Sequence, residues 1–589
     1  MRQLGTLAAF VVPFTALLAP IAHAQDATTP GTLTTPHPTV ENLSIKWEIS
    51  GDDNQNGVVT LRFREQGQSA WRTGLPLRRV PAASNEGFSW DNQHAGSIFD
   101  LLPDTTYEIE LSLVDPDGGD AVETVTVSTR PIPEVPADAT ERPVTPGNFD
   151  SVAGAAAPGD ILVLADGTYP EFEFERNGTA DRPIVIRAEH RGAAIIDGEI
   201  SLIGRSHVFL EGLTVNGRIR LNDTVGMVVR ECTINTTGSG IVAQGQGSED
   251  SYFCDNRVIG VTPFEDAALG ANGSNTGEGI EVTGPGNVVC YNYVRGFRDA
   301  ISTLEDDEAV NQVSIDIYNN DIEVGADDGI EADFAMGNVR VMRNRIRNSF
   351  VGISGQPTLG GPSYYIRNVM HNIVYSPFKL HRGSVGDVAF HNTVVKCGDA
   401  FACYAGTTWS HALFRNNLFI GGTGGGDYGG YGNGSGRVAQ LADADDTCDF
   451  NFDGYGSIGT NSFTGRIGDA RFESLAELRS STTETNAVQV DMSVFAANVT
   501  FPASGPFPAT TEEDLRIADG SAAVDQGTPL ANVNDGYVGS APDLGAYEAG
   551  SLLPHYGPRW EGPTEECGNG VREGTEECDD GNQTDGDGC

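Results

Sequence analysis

The chain has 589 residues, with 82 Asp and Glu against 36 Lys and Arg, giving a formal net charge of −46. A surface this acidic repels polyanions, which argues against nucleic acid and anionic membranes as partners. Any acidic ligand would have to be received by a local basic group or a bound cation.

Residues 1–24 combine Arg2, an apolar run from Leu7 to Ile21, and Ala22-His23-Ala24 before Gln25. This is the layout of a cleaved export signal, so a secreted protein, extracellular or at the cell surface, is expected. No later run reaches the ~18 apolar residues of a spanning helix. Residues 36–131 alternate polar and apolar side chains, as in Leu43-Ser44-Ile45-Lys46-Trp47 and Tyr107-Glu108-Ile109-Glu110-Leu111. That period of two predicts the half-buried strands of a β-sandwich. The segment Leu101-Leu102-Pro103-Asp104-Thr105-Thr106-Tyr107 resembles the tyrosine corner of fibronectin type III domains, and Trp47 stands where their buried Trp does. Residues 132–146 are rich in Pro and read as a semi-rigid linker.

Residues 147–550 carry a repeat. Asn320, Asn344, Asn368, Asn392 and Asn416 follow one another at 24-residue intervals, each closing a short run rich in β-branched and aromatic residues. A period of this length marks a solenoid, and the runs are strands rather than helices. In stacked β-coils the recurring Asn would form an internal ladder of amides. The pattern extends back through Asn292 and Asn256, with Cys232 in an earlier ladder position. Between Asn256 and Asn292 the excess segment Asp266 to Glu278 reads as a loop extruded from the coil edge. Cys254 and Cys290 fall two residues before ladder positions, as neighbours that either form a bridge or remain free thiols. The segment Ala157-Pro158-Gly159-Asp160 to Thr168-Tyr169, with Arg182-Pro183-Ile184-Val185-Ile186, resembles the opening coil of secreted parallel β-helix proteins, including polysaccharide lyase family six and pectate lyase-like proteins. Pro542-Asp543-Leu544-Gly545-Ala546-Tyr547-Glu548 resembles their closing segment. The fold class expected is all-β: a right-handed parallel β-helix preceded by a fibronectin type III-like β-sandwich. Residues 560–589, with Cys567, Cys578 and Cys589, resemble a Cys-rich repeat of exported bacterial proteins, cut short by one cysteine.

Nine or ten residues after each Asn a second strand begins, with inward residues expected at Ile280, Ile301, Ile330, Ile353, Phe378 and Phe401. Alternation turns the next residue outward, which predicts an exposed column of Glu281, Ser302, Glu331, Ser354, Lys379 and Ala402. Two residues on, a parallel column holds Thr283, Leu304, Asp333, Gln356, His381 and Tyr404. Glu331 and Asp333 offer oxygen ligands suited to calcium. Lys379 is one of three lysines, with Lys46 and Lys396, in a chain that otherwise uses Arg for positive charge. A desolvated Lys can lose its proton as a general base must.

β-Elimination of a uronate polysaccharide needs a cation for the sugar carboxylate, a base for the C5 proton and an acid for the leaving oxygen. Glu331 and Asp333 would hold Ca2+, Lys379 would be the base, and His381 or Arg382 the proton donor or charge stabiliser, with Glu281 and Gln356 contacting substrate. This resembles lyase family six, although there the lysine follows the acid pair closely and the Arg-His order is the reverse of His381-Arg382. An alternative is Asp327-Asp328-Gly329-Ile330, which resembles the paired acids of polygalacturonase-type hydrolases. A non-catalytic glycan-binding surface protein is the third reading. The partner expected in each case is an extracellular acidic polysaccharide, and a monomer is expected.

Overall fold

The computed structural model describes residues 25–458, 463–501 and 504–561. The expected export signal and the cysteines from Cys567 onward lie outside them.

Two four-stranded sheets open the chain. Leu43–Ser50 pairs antiparallel with Thr29–Thr34 and Gln93–Ile98, and Val58–Glu65 pairs with Thr106–Val114. The alternation seen in the sequence turns Leu43, Ile45 and Trp47 toward Val59, Leu61, Phe63, Ile109 and Leu111 in one core, the arrangement of a β-sandwich. The Tyr107 hydroxyl accepts the Leu102 backbone N–H at 2.9 Å and so fixes the corner before its own strand.

The stretch read as a linker does not remain one to its end. Thr140–Val144 is a strand pairing parallel with Asp160–Leu164. It is the first strand of its sheet, so Pro143 can occupy it without leaving a ladder acceptor unserved. From there a thirteen-stranded and an eighteen-stranded sheet run side by side as a parallel β-helix, and the side chains between them form one continuous core that includes Leu162, Ile196, Val229, Ile280, Ile330, Phe378 and Phe450.

The amide ladder lies along one corner of this core. Each ladder Asn accepts the backbone N–H of its counterpart one coil earlier: Asn256 donates to Asn292 Oδ1 at 3.0 Å, Asn292 to Asn320, Asn320 to Asn344, Asn344 to Asn368 and Asn368 to Asn392. Cys232 N–H donates to Asn256 Oδ1, so the cysteine stands at the head of the column. One rung differs from the sequence reading. Asn392 donates to Asn417, not Asn416, and Asn417 in turn to Asp453. Asn416 instead sits in the left-handed conformation at φ 61° and binds the Thr528 carbonyl and His391. The residue before every rung has positive φ: Glu231, Asp255, Tyr291, Asn319, Arg343, Arg367, His391, Asn416 and Phe452. Such residues cost about 1 kcal/mol each when not Gly, and the bonds converging on the buried Asn offset that cost. Cys254 and Cys290 pair across adjacent coils and form a disulfide.

The sandwich docks on the outer face of the thirteen-stranded sheet. Arg340, fully buried, pairs with Asp316 and donates to Ser44 and Ser97 of the sandwich, while Thr39 and Asn42 donate to Asp316. A buried charge pair persists only when its remaining lone pairs and protons are served in this way.

Candidate functional site

The eighteen-stranded sheet carries the column foreseen from parity. Glu281 pairs with Ser302, Ser302 with Glu331, Glu331 with Ser354 and Ser354 with Lys379, while Ile280, Ile301, Ile330, Ile353 and Phe378 face the core. Glu331 and Lys379 therefore share one wall, two rungs apart. The expectation of exposure is corrected: Glu281, Ser302, Glu331, Ser354 and Lys379 are all buried, at 9% exposure or less. Segments distant in sequence pack on the strands that carry Ser354 and Lys379. Leu269, from the loop read as extruded, folds back against Phe350 and Val374, and Tyr431 packs on Phe350 and Tyr375. Glu305, next to the short helical turn Asp306–Glu308, stands beside Glu331 and Asp333.

The sandwich reaches this wall. Asn85 donates to the carbonyls of Arg382 and Gly383, Phe88 packs edge-on against Phe334, and Glu86 takes Arg382 in a two-point ion pair at 2.9 and 2.7 Å. Arg382 also donates to Asp306 at 2.6 Å. It thus ties the sandwich hairpin to the turn beside Glu305, and its guanidinium is committed to two carboxylates.

Carboxylates gather here beyond those the sequence reading named. Glu305, Glu331 and Asp333 offer oxygens within 4.8 Å of one another; so do Glu278, Asp299 and Glu331, and Asp299, Asp327 and Asp328. Two missed acids, Glu278 and Asp299, carry a signal in the chain that the already named Asp328 shares. Glu278, Asp299 and Asp328 each precede a small residue and then an inward Ile: Glu278-Gly279-Ile280, Asp299-Ala300-Ile301, Asp328-Gly329-Ile330. A side chain at Gly279 would meet the Ala300 carbonyl at 2.3 Å, so the small residues let coils bend closely, and the acid before them joins the outer cluster.

Lys379 Nζ donates to Asp328 Oδ2 at 2.5 Å, Arg298 lies 3.3 Å from Asp299 and 3.7 Å from Asp327, and Asp299 Oδ1 accepts the Asp328 N–H. Asp333 Oδ1 accepts from Ser354 Oγ and the Gln356 backbone N–H, while its Oδ2 has no hydrogen-bond partner. Glu281 accepts from Gln244. Burial, and then the neighbouring acids, push the carboxyls of Asp299 and Glu331 well above the ordinary range, and burial does the same for Asp333; Glu278 is raised to about 7 and Asp327 to about 6. Burial works against the Lys379 ammonium, but Asp328, Asp333, Glu331 and Asp327 outweigh it and hold its pKa well above normal. Burial and the Lys379 charge lower His381 to about 4, and its buried Nε2 has no hydrogen-bond partner. The imidazole is therefore neutral at neutral pH.

The Glu305, Glu331 and Asp333 group fits a hard divalent cation. Its donors are all carboxylate oxygens, their spacing falls inside one coordination sphere of 2.3–2.6 Å radius, and one buried oxygen of Asp333 is left without a partner.

A sequence model of the chondroitinase B family matches residues 147–225, the opening coils, which precede the carboxylate cluster in the chain. No curated protein matches. Among solved structures, the PL6 family alginate lyase AlyGC aligns at 14% identity and TM-score 0.35, and a point variant of it at 14% and 0.30. Each alignment covers 56% of this chain and 53% of the other, so the chain spans about half the length of these matches. No described helix is long and apolar enough to cross a membrane.

Proposed function

We propose that the chain is a secreted lyase that cleaves an acidic, uronate-containing polysaccharide by β-elimination, with calcium held by Glu305, Glu331 and Asp333. The observation that carries this reading is the joining of a carboxylate group of cation-site geometry, a protonated amine and a neutral imidazole on one wall of a β-helix. The chondroitinase B match over the opening coils supports it at the level of substrate class.

When bound, the cation would neutralise the uronate carboxylate and ease loss of the C5 proton. Lys379 and the neutral imidazole of His381 are the two proton-transferring groups beside the carboxylates, and between them they would take the C5 proton and supply one to the leaving oxygen. Arg382 serves by fixing the Asp306 turn beside Glu305, while the Gln356 backbone N–H and Ser354 hold the Asp333 carboxylate. The hydrolase reading draws less support. Asp328 is engaged by Lys379 and so is not free to activate a water as an inverting carboxylate must.

The test is to incubate the chain with alginate, pectate and chondroitin, with calcium or with a chelator, following unsaturated-uronate absorbance and reducing ends. A lyase raises both in calcium and neither in chelator; reducing ends without absorbance would establish the hydrolase instead, and silence in both would leave glycan binding alone. Lys379→Ala should lower turnover by ~100-fold or more while a cooperative melt persists; unchanged turnover would remove Lys379 from the mechanism.

A further inference from the structure

Asp328 is fully buried, with one oxygen on Lys379 and the other, Oδ1, without any hydrogen-bond partner. An ionised oxygen left so is expensive unless something outside the protein serves it. Asp299 and Asp327, also buried, offer oxygens within 4.8 Å of Asp328 and of each other. Glu278, which shares a similar group with Asp299 and Glu331, likewise has an unpartnered buried oxygen, Oε2.

The charge count points the same way. Glu278, Asp299, Glu305, Asp327, Asp328, Glu331 and Asp333 form linked groups, and the cationic side chains paired with them among the described residues are Arg298 and Lys379. Were all seven ionised, as cation ligands must be, these two cations would leave five charges to be met in a buried wall. One divalent ion at the Glu305 group would leave three, and a second ion would leave one.

We propose that Asp299, Asp327 and Asp328 form a second site for a hard divalent cation of the calcium class, adjoining the Glu305, Glu331 and Asp333 group through Asp299, Glu278 and Glu331. This site stands whether or not the chain is a lyase. A cation there shares Asp328 with Lys379, so its occupancy sets how tightly the ammonium is held.

The experiment is calorimetric titration of chelator-treated full-length protein with calcium chloride, counting equivalents against Asp327→Asn, Asp328→Asn and Asp333→Asn variants. The first two should each bind one equivalent fewer than the parent, and Asp327→Asn combined with Asp333→Asn two fewer. If Asp327→Asn and Asp328→Asn keep the parental count, or the parent binds no calcium, the proposal is overturned. If they lose an equivalent and Asp333→Asn does not, the second site stands and the cation site of the lyase reading falls. Should the variants not fold, terbium soaked into crystals of the parent decides: anomalous density beside Asp328 Oδ1 supports the site, and density confined to the Glu305 group overturns it.

Discussion

Asn344→Ala removes the middle rung of the ladder. Its Oδ1 accepts from the Asn320 backbone N–H at 3.0 Å and from Asn320 Nδ2 at 2.9 Å, and its Nδ2 donates to the Ile317 carbonyl and Asn368 Oδ1. Asn368 Oδ1 keeps a second donor, the residue 344 backbone N–H. The firm losses are thus two donor hydrogens on Asn320, which is fully buried and out of reach of water. At about 1–3 kcal/mol for each orphaned donor, the substitution should cost roughly 2–6 kcal/mol, a large part of the stability of an ordinary domain. Urea unfolding followed by far-ultraviolet circular dichroism measures this as a fall in midpoint at constant slope. The strand Arg345–Ser354 begins at this rung and lies between Glu331 and Lys379, so the proposed lyase turnover should fall with it. A loss below about 1 kcal/mol would show that strand pairing alone sets the coil register and would refute the role given to the ladder.

Lys396 is fully buried and donates to the carbonyls of Cys397 and Asp399; burial lowers its pKa to about 8. Its folded value lies below the unfolded one, so its charging cost is constant below pH 8 and is relieved as pH rises toward 10.5. Unfolding free energy should therefore climb by about 3 kcal/mol across that window, and Lys396→Met should lack the climb; parallel curves for the two proteins would contradict this. Glu86→Ala frees Arg382 and loosens the turn bearing Asp306, so calcium affinity at the Glu305 group should drop several-fold in a calorimetric titration. An unchanged affinity would separate the sandwich from the site.

The 24-residue beat and strand parity made the coil stack, the ladder and the shared wall of Glu331 and Lys379 legible, because equal spacing and alternation survive in a linear string. The rung at Asn416 was misplaced by one since Asn417 follows it and both satisfy the pattern; only the left-handed corner separates them. Burial was not legible. The segments that pack near the column, around Leu269, Glu305 and Tyr431, come from separate excursions whose landing places no local pattern specifies. Nor was Arg382 readable as an anchor, because Glu86 lies 296 residues away in another domain.

The left-handed corner has one further consequence. Rungs are separated by 24 residues in some coils, 28 between Asn292 and Asn320, and 36 between Asn256 and Asn292 and again between Asn417 and Asp453. Because each turn is re-zeroed at the same pinned vertex, surplus chain spills sideways without advancing the winding. Lineages of this scaffold can thus lengthen or trim the rim around the acids, and so reshape what can lie there, while the spacing of charges on the wall stays untouched.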